Sequence, residues 1–142
     1  MVPTTVTVRK GQADKRRMTG GGTFGAERVH HAFTLNCDPQ RGSNHLEVKW
    51  GKNSRFRLEE VTSAACLDGP HIDPRRPLAS FDTYRGTGVG RYSGAAATAE
   101  WTFTDAGEPG RRDMATIVIR NAAGDVVLSA TGSISGGNHQ AH

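Results

Sequence analysis

The stretch Ala97-Thr98-Ala99-Glu100-Trp101-Thr102-Phe103-Thr104 alternates apolar and polar residues without a break. Only a β-strand places every second side chain on one face, so this pattern commits the stretch to a half-buried strand. The same period recurs along the chain. Val29, His31, Phe33, Leu35 and Cys37 share a face over residues 28–37. Leu46, Val48 and Trp50 lead into a Gly51-Lys52-Asn53-Ser54 turn, from which Phe56 and Leu58 return, predicting a hairpin over residues 45–58. Residues 61–66 read as a further short strand, and 81–92 as another. Residues 114–120 and 126–134 flank a turn at Asn121-Ala122-Ala123-Gly124-Asp125. Within 81–92, Gly86, Gly88 and Gly90 leave one face without side chains, which predicts a bulky neighbour such as Trp101 packed against it.

Seven or eight strands with frequent turn signals predict an all-β protein, a sandwich or a barrel. Of these, an antiparallel β-sandwich of jelly-roll or immunoglobulin-like type is the expectation. A chain of 142 residues with 18 glycines and few aromatics fits one such domain, and no helix longer than a turn or two is expected. No stretch approaches the roughly 20 apolar residues of a membrane helix, which excludes helical membrane insertion. Thr19-Gly20-Gly21-Gly22-Thr23-Phe24-Gly25 follows no strong strand and opens no helix. It is therefore no phosphate loop, and its glycines suit a tight bend or a close backbone approach. Residues 67–80, with Pro70, Pro74 and Pro77, read as a long ordered loop.

The net charge of +4 is local: Arg9, Lys10, Lys15, Arg16 and Arg17 face only Asp14, and from Met18 onward 13 basic residues balance 13 acidic ones. The chain therefore divides into a basic leader, 1–18, expected to be flexible, and a neutral domain, 19–142. A basic tail of this kind is a solubilising arm rather than a nucleic-acid footprint, so no nucleic-acid partner is expected. Met1-Val2-Pro3 is not followed by a charged and then an apolar region, so the sequence reads as lacking a signal peptide. Cys37 and Cys66 are the only cysteines; in an oxidising compartment they could form one disulfide.

Candidate chemistry gathers in two places. Asp105-Ala106-Gly107-Glu108-Pro109-Gly110-Arg111-Arg112-Asp113 puts three carboxylates on one bent loop. Calcium takes six to eight oxygens from such groups, although the EF-hand order is missing. Asp105, Glu108, Asp113 and Asp82 are the candidate calcium ligands. The competing expectation is a solvated turn whose acids pair with Arg111 and Arg112 or cap backbone amides. The histidines are the second place. His30 and His31 point to opposite faces of a strand, and His31, on the apolar face, reads as a hydrogen-bonded core residue. His139 and His142 could bind zinc or copper if the tail folded back, but a frayed end is expected. No Gly-x-Ser-x-Gly elbow is present, so a hydrolase here would use a metal-activated water, with Asp82, Asp105, Glu108, Asp113 and His71 as the residues to test. Trp50, Phe56, Trp101 and Phe103 read as core. Tyr84 and Tyr92, on the glycine face, join His71, His139 and His142 as possible ligand contacts.

Several motifs together resemble a known type of module. They are Thr19-Gly20-Gly21-Gly22-Thr23-Phe24, Phe33-Thr34-Leu35-Asn36-Cys37, Leu46-Glu47-Val48-Lys49-Trp50, the segments 81–90 and 100–110, and the closing Gly137-Asn138-His139-Gln140-Ala141-His142. In this order they resemble an uncharacterised β-rich module found at the ends of large extracellular bacterial proteins, beside adhesin-like and immunoglobulin-like repeats. The resemblance covers residues 19–142 and implies an exported origin, extracellular or periplasmic, and a Cys37–Cys66 disulfide. It carries no settled activity. Three readings follow: a non-catalytic interaction module steadied by calcium; a calcium-dependent hydrolase of a small ester or lactone, such as an N-acyl homoserine lactone; and a polysaccharide-binding domain. The partners to expect are a small molecule or an extracellular protein or polysaccharide.

Overall fold

A computed structural model describes residues 14–68, 81–106 and 113–142. Among the described residues there are nine antiparallel strands: β1 (Arg17–Phe24), β2 (Val29–Asn36), β3 (His45–Trp50), β4 (Ser54–Leu67), β5 (Thr83–Tyr92), β6 (Ala95–Thr104), β7 (Met114–Asn121), β8 (Val126–Ser133) and β9 (Ser135–Ala141). They form one sheet in the order β8-β7-β6-β5-β4-β3-β2-β1-β9. Each strand from β1 to β8 pairs with its sequence neighbour, the meander of an up-and-down barrel. β8 and β9 are two halves of one run interrupted at Ile134, the first bonded to β7 and the second to β1. That run curls the sheet into a nearly closed barrel. The expected sandwich of two facing sheets with seven or eight strands is thus replaced by a single curled sheet of nine.

Interior and exterior follow from the period of two. Val29, His31, Phe33 and Leu35 of β2 are buried while His30 and Ala32 face out; Ala97, Ala99, Trp101 and Phe103 of β6 do the same. The core is aromatic: Phe24, Phe56, Phe81, Phe103, Tyr84 and Trp101 are all buried. Trp50, Phe56, Trp101 and Phe103 lie inward as the sequence predicts, with Trp50 only partly covered. The glycine face of β5 receives its bulky partner. An ideal Cβ on Gly86 would lie 2.6 Å from Cζ2 of Trp101, and one on Gly88 would lie 2.5 Å from Cδ1 of Leu58. The indole therefore lies flat over bare backbone. Its Nε1 is buried without a hydrogen-bond partner among the described residues.

Three departures from the sequence reading have physical causes. The hairpin return carrying Phe56 and Leu58 and the strand expected at 61–66 are one strand, β4, of 14 residues. Its register against β5 shifts between Leu58 and Glu60 and again between Val61 and Ser63. Each bulge inserts a residue and breaks the alternation that would have revealed a single strand. The glycine-rich segment is β1, and its partner is the tail, β9. A Cβ on Gly20 would meet the carbonyl of Asn138, and one on Gly137 would meet the carbonyl of Gly21. The glycines thus permit a close backbone approach, as expected, but within a strand pair rather than at a bend. Finally, residues 14–18 of the presumed leader belong to the fold. Arg17 opens β1, and Arg16 pairs with Asp14 at 2.9 Å and lies over the ring of Phe81. The rest of the leader and the loop prolines lie outside the described residues.

The barrel depends on the bare face of β5. Gly86→Ala is expected to lower unfolding stability by about 1–3 kcal/mol, the usual cost of overpacking, as read from urea denaturation. Gly124→Ala, in the open β7–β8 turn but at φ 89°, tests backbone strain without a clash.

Candidate functional site

The meander puts the β1–β2, β3–β4, β5–β6 and β7–β8 turns at one end of the barrel, and the C-terminal ends of β2, β4 and β6 with the N-terminal ends of β3, β5 and β7 at the other. Three of the acidic residues singled out in the sequence gather at the second end. Asp82, Asp105 and Asp113 are all buried there. Asp105 N donates to the carbonyl of Asp82 at 2.7 Å, and Asp113 Oδ1 accepts from Ala106 N at 2.7 Å. Asp82 Oδ1 accepts from the Thr83 hydroxyl at 2.7 Å. Glu108 and His71 lie outside the described residues, so their place relative to this group is not part of the geometry.

The carboxylates have a structural task. In β9 the residues that alternate with the ladder to β1 turn their N–H groups toward the opposite edge, where β7 has already ended. Asp113 Oδ2 accepts from His139 N and Asp105 Oδ2 from Ala141 N, each at 2.7 Å. The carbonyl of Asp113 also accepts from Ile134 N at 2.9 Å. Two buried aspartates thus stand in for a missing strand and seal the edge of β9. This is the amide-capping alternative that the sequence left beside calcium. No group of three or more His, Cys, Asp or Glu side chains able to hold a metal is assembled among the described residues.

The histidines rearrange the expectations most. His139 is fully buried rather than part of a frayed end, and its Nε2 lies 2.8 Å from Nε2 of His31. His31 Nδ1 faces the carbonyl of Gly22 at 3.0 Å, and His139 Nδ1 faces that of Thr104 at 2.8 Å. Phe24, Phe33 and Phe103 surround the pair, with ring centroids 5.0 to 5.7 Å from His31. Burial holds both imidazoles below the ordinary histidine range, His31 at about 4 and His139 at about 3, against the opposing pull of the carbonyls they face. His31 is the hydrogen-bonded core residue expected from its face of β2. His139 could not be foreseen as its partner, because the tail carries no apolar alternation to mark it as a strand. His142 remains at the surface, with Nε2 2.9 Å from the Thr19 hydroxyl.

The remaining candidates separate. Tyr84 is a core residue whose hydroxyl donates to the carbonyl of Asn36 at 2.8 Å, and burial pushes its phenol up. Tyr92 stacks on Trp50 at 5.6 Å near the turn end. Cys37 and Cys66 form a disulfide with Cα atoms 5.7 Å apart, tying the end of β2 to the end of β4 across β3.

A feature missed from the sequence lies at the turn end. A groove of about 480 Å³ between the β1–β2 turn and the β3–β4 hairpin is lined by Arg28, His30, Lys49, Lys52, Arg55 and Glu27, with Trp50. Arg28 sits at φ 53°, an uncommon conformation for a residue with a side chain. Arg55 is paired with Glu47 at 2.6 Å, while Arg28, Lys49 and Lys52 make no ion pair among the described residues. The neutral balance of the domain concealed this local excess, because separated positions in sequence converge only once β2, β3 and β4 pair. Comparison with protein-family models, curated proteins and solved structures found no match.

The buried pair makes the fold acid-sensitive. With folded values depressed below the unfolded 6.5, both rings are neutral in both states above that pH, and stability is fully present. As pH falls below 6.5 the unfolded chain takes up protons that the folded one refuses until pH about 4 for His31 and about 3 for His139. At pH 5 this costs about 2 kcal/mol per ring. Urea denaturation at pH 7.5 and pH 5 is expected to show a larger acid loss in the wild type than in a His31→Phe, His139→Phe variant. Equal losses would contradict the burial of neutral rings.

Proposed function

We propose that this protein is a non-catalytic binding module of exported type that holds an acidic polysaccharide in the groove at its turn end. The observation that carries the reading is the convergence of Arg28, Lys49, Lys52 and Arg55 against the single acid Glu27 in one groove. Arg28, Lys49 and Lys52 make no ion pair among the described residues, while Arg55 is shared with Glu47; such cations along a concave surface favour an extended anionic partner, and charge complementarity supplies both rate and specificity. The half-buried Trp50, backed by Tyr92, offers an apolar ring face beside the charges. The disulfide suits an oxidising compartment, as does the resemblance to extracellular bacterial modules. Calorimetry with heparin or alginate as the probe is expected to show binding that weakens between 50 and 300 mM salt. A Lys49→Glu, Lys52→Glu variant is expected to lose at least tenfold in affinity. Binding that ignores the charge reversal, or no binding to either polymer, would defeat the reading.

A second reading is calcium held at the opposite end, and with it a calcium-dependent hydrolase of an ester or lactone. Its support is the approach of Asp82, Asp105 and Asp113 to one another through shared backbone hydrogen bonds. Against it, Asp105 and Asp113 each commit carboxylate oxygen to the amides of β9. A thermal melt of EDTA-stripped protein with millimolar calcium separates the two. The binding-module reading predicts an unchanged midpoint. A ligand at 100 times its dissociation constant would add about 2.7 kcal/mol, a rise of several degrees.

A further inference from the structure

The contacts of the buried histidine pair do not balance with the protons two neutral rings carry. A carbonyl oxygen only accepts, so His31 Nδ1 must donate to Gly22 O, and His139 Nδ1 must donate to Thr104 O. A neutral imidazole has a single N–H. With both spent on carbonyls, the two Nε2 atoms face each other at 2.8 Å with lone pairs only. Three close contacts share two protons, and a neutral pair can satisfy only two of them. What the third contact lacks is a cation between the two Nε2 atoms.

This is also the arrangement in which histidine binds metal. A ligating ring directs one nitrogen to the ion and donates the other N–H to a carbonyl or carboxylate, which fixes its tautomer and orientation. Here both rings have that second contact already in place, on strands from opposite parts of the chain. We propose that His31 and His139 form a buried two-coordinate site for a soft monovalent metal ion of the Cu(I) class, held between their Nε2 atoms.

The donor set selects the class. Zinc is almost always four-coordinate in closed protein sites, and no third His, Cys, Asp or Glu joins these two among the described residues. Imidazole suits copper, and a d¹⁰ monovalent ion accepts two ligands in line. It also brings one charge rather than two into an apolar box, where the faces and edges of Phe24, Phe33 and Phe103 surround it. A linear N–metal–N unit spans about 4 Å, twice a metal–imidazole bond of about 2 Å. The rings must therefore part by about 1 Å from their 2.8 Å contact. His139 is the ring that moves, because β9 has a ladder on one side only.

Silver(I) is the probe, since it copies Cu(I) without redox chemistry. The two cysteines are joined, so no thiolate competes for it. Calorimetry in a nitrate buffer is expected to find one Ag(I) per chain, and ring ¹⁵N resonances are expected to show both Nε2 signals, of His31 and His139, shifting together. His31→Phe and His139→Phe should each weaken binding at least 100-fold. A His30→Ala, His45→Ala, His142→Ala variant, which lacks three exposed imidazoles, should keep it. If either phenylalanine variant fails to fold, the wild-type ring resonances decide alone. The proposal is overturned if no stoichiometric ion binds, or if the shifts fall on His30, His45 or His142 instead. It is overturned equally if those resonances reveal a third proton shared by the pair that silver does not displace.

Discussion

The pairing of β9 with β1 is the interaction on which the rest of this barrel depends. A meander of eight strands leaves two open edges, and an open edge exposes unpaired amides to solvent or to another chain. Here the final run of chain crosses the gap, its first half, β8, bonded to β7 and its second, β9, bonded to β1. Glycines let the backbones come close enough, Gly20 and Gly22 on one side and Gly137 on the other. Asp105 and Asp113 then receive the amides that no strand reaches, and His139 turns inward to meet His31. Closure, edge capping and the polar interior are thus one construction.

That construction explains what could be read from the sequence. Strands with one apolar face were legible, because burial imposes the period of two on residues such as Val29 to Leu35 and Ala97 to Phe103. The bare face of β5 was legible too, since alternate glycines demand a large neighbour, and Trp101 is that neighbour over Gly86 and Gly88, while Gly90 meets the backbone of Arg57. The closing strands were not. β1 and β9 contribute backbone and few apolar side chains, so their sequences resemble linkers. A sandwich and a closed meander share the same alternation and turn spacing, and what separates them is which strands pair, a non-local fact absent from local pattern.

The candidate sites divide in the same way. The acidic loop stood out by composition, and its flanking aspartates do converge, but they serve β9 through backbone amides. Local spacing cannot distinguish a carboxylate aimed at an ion from one aimed at an amide 26 residues away, as Asp113 is. The basic groove and the histidine pair were invisible for the converse reason. Their members lie far apart in the chain, with His31 and His139 separated by 108 positions, and only the barrel brings them together. The groove lies at the turn end, in solvent, where charge is available to a partner. The histidines lie in the core, where each unbalanced proton or charge is costly.

Amide hydrogen exchange tests the closure itself. The amides of His139 and Ala141 do not take part in the ladder to β1, so their protection depends on Asp113 and Asp105. In the intact protein both should exchange as slowly as the core amides of β6, and an Asp113→Ala change should release His139 first. Exchange of both amides within seconds in the unaltered chain would mean that β9 is frayed and the sheet open.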